Sequence, residues 1–356
     1  MQKKGESQQM RGLPPLGPGP FDVVGLGENS VDVLAVVSHF PVPNEKLEMQ
    51  DLTTRVGGQV ATALVACARL GHRTRYVGSF GNDAHAKLVN AALKGEGVDL
   101  SVCRVVPAPN RTALIVVDSD TGTRTVMWRR AAALDWPAMA VPDAVVSGAR
   151  VLLVDATDPM AAATAAIQAG AARVPVVLDV DTVVEGLERL LPLVDVIVAP
   201  DGLAEEMTGE RSRPDAMRIL FDAYCPALLI ITLGANGAVA WDGTRQFQSP
   251  GFEVPVVDTT GAGDAFRGGF ISAWVEEGRG GRRPDVRKLL EAANAVAALN
   301  CLALGAQGGL PTRAELNAFV TDRPRARSKG TRDVTRRSRP GQRVVGRTDG
   351  NRFTGR

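Results

Sequence analysis

Two carboxylates, two hydroxyls and three small residues share seven consecutive positions, Asp258-Thr259-Thr260-Gly261-Ala262-Gly263-Asp264. Apolar Val256-Val257 precede the run, and the apolar stretch Ala265 to Val275 follows it. That order predicts a strand, a glycine turn and a helix N-terminus. Such a turn lets backbone N–H groups converge without side chains in the way, and the helix dipole adds partial positive charge, so Gly261, Ala262 and Gly263 are candidates for an anion hole. Asp264 does not suit simple anion binding, because its charge repels the anion. It suits removal of a proton from a hydroxyl that then attacks a bound phosphate. The plainer alternative is an N-capping Asp after a glycine turn.

Facing chemistry must come from other loops. Glu28, Asn29 and Asp32 follow an apolar run (Phe21 to Gly27), Gly57-Gly58 open an Ala-rich helical stretch, and Thr232-Leu233-Gly234 follow another apolar run. Ligands of parallel sheets bind beyond the carboxyl ends of the strands. A carboxylate-bearing rim opposite glycine-rich turns fits a polyhydroxy substrate placed against a phosphate donor. The plainer readings are a turn residue for Asp32 and close helix packing for Gly57-Gly58. GxxxxGK[ST], GxSxG and HExxH are absent, and Gly25-Leu26-Gly27 lacks the third glycine of a dinucleotide fingerprint.

The elements that must carry these residues alternate. From Arg150 onward short apolar runs and helical stretches follow one another, which predicts a three-layer α/β/α fold with a mainly parallel sheet. Arg111 to Asp118 and Arg124 to Arg129 read as a hairpin around Asp120-Thr121-Gly122. With residues 33–56 they predict a small β lid, so that residues 33–56 and 105–130 interrupt a single catalytic domain spanning 21–321. Glu28 to Asp32 reads as a polar turn, with a second strand from Val33 to Val37.

Composition limits the partners. Hydrophobic residues make up 45% of the 356-residue chain but aromatics only 4%, which suits a large core of close helix–sheet packing. No apolar run spans a bilayer, so a membrane partner is not expected. The four cysteines form no CxxC pair and the three histidines no metal-ligand spacing, which reads as a reducing, cytoplasmic setting. Residues 322–356 carry twelve Lys/Arg against three Asp, leaving a net of −7 for residues 1–321 out of the chain's +2. Residues 1–20 and 322–356 read as disordered for want of apolar residues. A nucleic-acid contact is therefore expected only through the basic tail.

Val257-Asp258-Thr259-Thr260-Gly261-Ala262-Gly263-Asp264-Ala265-Phe266 with Gly268-Gly269 closely resembles the C-terminal signature of the ribokinase-like (PfkB) carbohydrate kinases. The resemblance runs from about Phe21 to Phe319. It includes Gly57-Gly58, Gly78 to Asp83, Thr232 to Gly237 and Gly305 to Pro311. It implies transfer of the γ-phosphate of ATP to a sugar hydroxyl, with Asp264 as general base and Gly261, Ala262 and Gly263 as the hole for developing charge. It places Asp32, Gly57 and Gly58 on the sugar. It places Thr232, Gly234 and Gly237 on the nucleotide, with Asn294 in the helix that flanks adenine. Asp258 and Thr260 match positions that hold a monovalent cation, potassium, in many members. Mg2+ would arrive with the nucleotide. A homodimer through the lid is also implied.

Two positions depart from the family pattern. Thr62 stands where the sugar-side Asn is usual, and the NxxE motif that helps organise Mg2+ is missing around Ala199 to Leu203. This combination is similar to a subgroup that includes sulfofructose kinase. Arg111 and Arg129, beside Arg124 and Arg130 near the lid hairpin, are candidates to bind an acidic group on the sugar. Solvated surface charges, or contact with nucleotide phosphates, are the other readings. Two further functions fit: a nucleoside kinase on the same fold, and a non-catalytic sugar- or nucleotide-sensing protein whose basic tail touches nucleic acid.

Overall fold

A computed structural model describes residues 12–121, 123–137 and 141–322. Its strands are β1 (Phe21–Leu26), β2 (Ser30–Val37), β3 (Asp51–Gly57), β4 (Thr74–Val77), β5 (Ser79–Phe80), β6 (Arg104–Val105), β7 (Thr112–Asp118), β8 (Arg124–Arg129), β9 (Ala149–Asp155), β10 (Val176–Asp179), β11 (Val196–Pro200), β12 (Leu228–Thr232), β13 (Ala238–Trp241) and β14 (Gln246–Ser249). The helices are α1 (Gln59–Arg69), α2 (Ala84–Gly95), α3 (Asp143–Ser147), α4 (Pro159–Ala172), α5 (Leu187–Leu190), α6 (Leu203–Thr208), α7 (Arg213–Tyr224), α8 (Ala262–Glu277), α9 (Val286–Asn300) and α10 (Arg313–Asp322).

Eight strands form the main sheet in the order β14-β13-β12-β11-β10-β9-β1-β4. The neighbours from β4 to β12 are parallel, and β13 and β14 add an antiparallel edge. The central strands read as unbroken apolar runs because both faces are covered. Alternate residues go to opposite cores. Val23, Val151, Leu153 and Val177 pack on the side of α1, α8 and α9. Val24, Leu152, Val154 and Leu178 pack on the side of α4 and α7. The α/β/α architecture predicted from sequence is the one observed.

The second sheet is β3-β2-β7-β8. It is mixed, since β2 and β7 run parallel while the outer pairs are antiparallel. Leu34, Ala113 and Ile115 form its own small core, with Leu304 packed against it. The expected hairpin appears as β7 and β8. β2, however, begins at Ser30, so Ser30 to Asp32 lie in a strand and not in the predicted polar turn. Asp51 to Gly57 form one strand, β3, and the stretch from Thr74 to Phe80 divides at Gly78 into β4 and β5 of different sheets.

Two further expectations change. Val256 and Val257 are not in a strand and are 58% and 62% exposed. The N–H groups of Val257 and Asp258 both donate to Cys301 O, so this segment docks on the turn after α9 and not on the sheet. Residues 12–20 form no helix or strand but are not loose: Leu13 is buried, Leu16 packs on the core, and Arg73 and Arg150 donate to Gly19 O and Gly17 O. The expectations for residues 1–11 and 323–356, including the basic tail, lie outside the described residues.

Candidate active site

The glycine turn does open a helix. Gly261, at φ 72°, is the residue before α8, so Ala262, Gly263 and Asp264 are its first three residues and their N–H groups lack acceptors within the helix. Asp264 is thus in the first turn and is not the N-cap of the plainer reading. A Cβ on Gly261 would stand 2.5 Å from Ala306 O, so only glycine lets the turn lie against the 300–306 segment. Asp258 braces that turn. Its Oδ1 accepts from Thr260 N (2.9 Å) and Thr260 Oγ1 (2.8 Å), and its Oδ2 from Gly305 N (2.8 Å). Asn300 Nδ2 donates to Thr260 O (3.2 Å) and Ala306 O (3.0 Å).

Asp32 comes from β2, 6% exposed, with Ser30 Oγ donating to its Oδ1 at 2.9 Å. Burial raises its carboxyl above the usual range; Ser30 and Arg111 pull it back, and the nearness of Asp258 adds to the rise. The lid residue and the anion loop are therefore electrostatic neighbours. Gly57 and Gly58 serve two separate requirements. A Cβ on Gly57 would strike Asp32 Oδ2, whereas Gly58 has φ 99° and abuts the Asn29 backbone. Thr62 lies deeper: it is fully buried and its hydroxyl accepts from Gln307 Nε2 at 3.3 Å. Sequence reasoning missed Gln307, and nothing in its local pattern marks it.

The arginines separate. Arg111 is ion-paired to Glu28 and lies 5.4 Å from the Trp128 ring centroid. Burial pushes the Glu28 carboxyl up to about 8, with Arg111 opposing. Arg129 is exposed on the edge strand β8. Arg124 donates to Thr259 Oγ1, joining the hairpin to the anion loop. Arg130 is held by Asp135 and by Asp158 (2.9 Å), which makes it a structural tie.

On the other side, Thr232 closes β12 and donates to Ala199 O (3.4 Å). Gly234 and Gly237 have φ of 57° and 86°, and a Cβ on Gly237 would stand 2.1 Å from Ser249 O. Asn294 is buried and spends its amide on Ser249 O, Ser249 Oγ and Pro250 O, each at 3.1 Å, so it ties α9 to β14. Where NxxE is absent, β11 ends at Pro200 and Gly202 (φ 87°) opens α6. Glu205 is half-buried and Glu206 exposed there. Among the described residues no group of three or more His, Cys, Asp or Glu could hold a metal ion.

An acidic shelf missed by sequence reading lies under the first turn of α8. Asp155 ends β9 and Asp179 ends β10, directly paired in register. Asp155 accepts from Glu28 N (2.7 Å), and burial pushes it up to about 6. Asp264 retains partial access to solvent, yet burial foremost, then Asp179, raises its carboxyl well above the usual range, with Arg267 opposing.

The sequence and fold are matched in known proteins. Residues 21–313 match the sequence profile described as pfkB family carbohydrate kinase. The chain belongs to that family. Among its relatives, a ribokinase of Haemophilus influenzae is 28% identical over 303 residues, covering 83% of this chain and 97% of the relative. An ATP-dependent ribose-1-phosphate kinase of Halopiger xanaduensis is 27% identical, covering 85% and 98%. A solved putative ribokinase from Agrobacterium tumefaciens superposes with a TM-score of 0.77 at 26% identity, over 85% of this chain and 98% of that one. The ribokinase of Arabidopsis thaliana, solved with ribose and ATP, gives 0.72 at 26%, over 86% and 99%. The matched residues 21–313 span both sheets and the loops of the candidate site.

Proposed function

We propose that this pfkB-family chain is an ATP-dependent carbohydrate kinase that transfers the γ-phosphate to a hydroxyl of a sugar or sugar acid. The observation that carries this reading is the meeting of Asp264, in the first turn of α8, with a helix N-terminus behind Gly261 that no side chain caps. In the step itself, Asp264 takes the acceptor's proton, the acceptor oxygen bonds to the γ-phosphorus, and the bond to the ADP oxygen breaks. The N–H groups of the α8 first turn hold the charge that develops on the phosphoryl oxygens. Asp32, fixed by Ser30 and made room for by Gly57, orients the acceptor hydroxyls. Thr232, Gly234 and Gly237 form the nucleotide-side turn.

Mg2+ brought in with the nucleotide would supply neutralisation of the phosphate charge. Among the described residues no cluster of three or more His, Cys, Asp or Glu is offered for it, which suits a metal carried in by nucleotide and water. A monovalent cation beside Asp258 and Thr260 belongs to the same reading, although the Asp258 carboxylate already braces the turn through three hydrogen bonds. The four-stranded sheet acts as the lid. Leu52, Leu114 and Met127, exposed on the face opposite Leu34, Ala113 and Ile115, favour a homodimer through that face. A cytoplasmic location belongs to the same reading; among the described residues no helix is long and apolar enough to cross a membrane.

The test is an ATP-consumption screen with Mg2+ over neutral sugars, sugar acids, sulfosugars and nucleosides, with potassium varied. Turnover with a sugar supports the reading. Turnover with nucleosides alone replaces it with a nucleoside kinase, and no transfer to any acceptor refutes it.

A further inference from the structure

Arg267 lies one helical turn beyond Asp264 on α8 and is 4% exposed. Side chains of helices lean toward the N-terminus and meet residues three and four positions back. Its guanidinium accordingly reaches under the anion hole: a Cβ on Gly263 would stand 2.3 Å from Arg267 Nη1. Its Nη2 lies 2.7 Å from Asp179 Oδ1 and donates to Val198 O at 3.4 Å. One buried cation thus links the first turn of α8 to the end of β10 and the middle of β11.

We propose that Arg267 is a positioning residue of the phosphoryl-transfer site, holding the first turn of α8 over the sheet and keeping Asp264 in the charged form that accepts the hydroxyl proton. The inference rests on the kinase reading, because Arg267 has this task only if Asp264 is the base.

The charges around Asp264 show why a cation is needed. Asp179 faces it from β10, Asp181 from the segment after β10, Glu28 from the segment after β1, and Arg267 from α8 itself. Asp155 adds a further carboxyl beside Asp179. Asp179 is 1% exposed, and neither of its carboxylate oxygens has a well-aligned hydrogen-bond donor among the described residues. The charge of Arg267 is what compensates it. Remove that charge and the buried carboxyls compete for protons, with Asp264 among them. Remove Asp179 and Arg267 is left to Asp264 alone. The two changes push Asp264 in opposite directions, which a purely structural role for the pair does not predict.

The experiment reads Asp264 directly. The full chain is labelled with carboxyl-13C aspartate and titrated by NMR, and the Asp264 resonance is assigned by its loss in Asp264→Asn. In Arg267→Gln the midpoint moves up by about one pH unit or more, in Asp179→Asn it moves down by a similar amount, and in Arg267→Lys it stays near the parent. The acid limb of kcat/KM follows the same order, while the KM for ATP changes little. A midpoint that stays put in either Arg267→Gln or Asp179→Asn, or moves the same way in both, overturns the proposal, so either folded variant by itself can overturn it. The titration needs no substrate. A chain that phosphorylates no sugar defeats the kinase reading, whereas fixed midpoints in an active kinase defeat this inference alone.

Discussion

Asp32 Oδ2 sits 2.3 Å from the point where the Cβ of a larger residue at position 57 would stand, so Gly57 is a cut-out in β3 shaped by a carboxylate of β2. The two strands pair with Ser30 opposite Gly57 and Asp32 opposite Arg55, which brings both residues to the same end of the lid. Gly57→Ala therefore displaces Asp32 instead of filling empty space. A misplacement near 1 Å costs about 100-fold in catalysis. The expected result is a loss of about that size in kcat/KM for the sugar with the KM for ATP nearly unchanged. Steady-state kinetics with each substrate varied checks it, and an equal rise in both KM values would contradict it.

Asp264→Asn should lower kcat by about 100- to 10,000-fold, the range of a lost general base, and leave nucleotide affinity intact by calorimetry. The pH dependence has a definite sign. The folded-state carboxyl is raised above its ordinary value, first by burial and then by Asp179. The parent's kcat/KM should therefore climb with pH along a limb that lies above the usual carboxylate range. The same shift costs stability: a carboxyl raised in the folded state favours folding at low pH and loses that contribution as pH rises toward the folded value. Asp264→Asn should consequently be more stable than the parent to urea at pH 8, and a less stable variant would argue against the raised carboxyl.

The alternation of apolar runs and helical stretches exposed the α/β/α fold because both sheet faces are covered, and the glycine-rich run exposed α8 because φ at Gly261 is accessible mainly to glycine. What stayed hidden depended on partners distant in sequence. Val256-Val257 reads as a strand from β propensity, but its N–H groups find Cys301 O first. Thr62 reads as a substrate contact, and its partner Gln307, which donates to its hydroxyl, stands 245 residues away. Arg267 carried a signal that went unread. It stands among Ala265, Phe266, Phe270 and Ile271, all buried, so α8 offers that arginine no solvent face. A lone cation in a helix that is apolar all round must find a buried partner.

Gly261→Ala tests the turn separately from the base. The substitution forces a non-glycine residue to φ 72° and sets its Cβ 2.5 Å from Ala306 O. Left-handed strain of this kind costs about 1–3 kcal/mol, which for a domain of this size lowers Tm by about 2–4 °C per kcal/mol. The anion-hole N–H groups shift with the turn, so kcat should drop at least as steeply as in the Asp32 neighbourhood. Calorimetric melting and kcat measured together check it; a full loss of stability without a change in kcat would place the phosphate elsewhere.

His72 offers a test of the core far from the chemistry. Its Nε2 meets Ser272 Oγ at 2.8 Å, and Arg313 donates to that same hydroxyl at 2.8 Å, joining α10 to the turn after α1. Burial lowers the imidazole to about 4, with Arg313 adding to the fall and Asp22 opposing it. The unfolded chain, with an ordinary histidine near 6.5, then takes up the proton first as pH falls. Stability from this group is present above about 6.5 and is lost as pH drops toward 4, by at most about 3 kcal/mol. Urea unfolding at a series of pH values should show that slope in the parent. In His72→Gln, which has no proton to gain, the slope over this window should shrink, and an unchanged slope would assign the acid sensitivity to other groups.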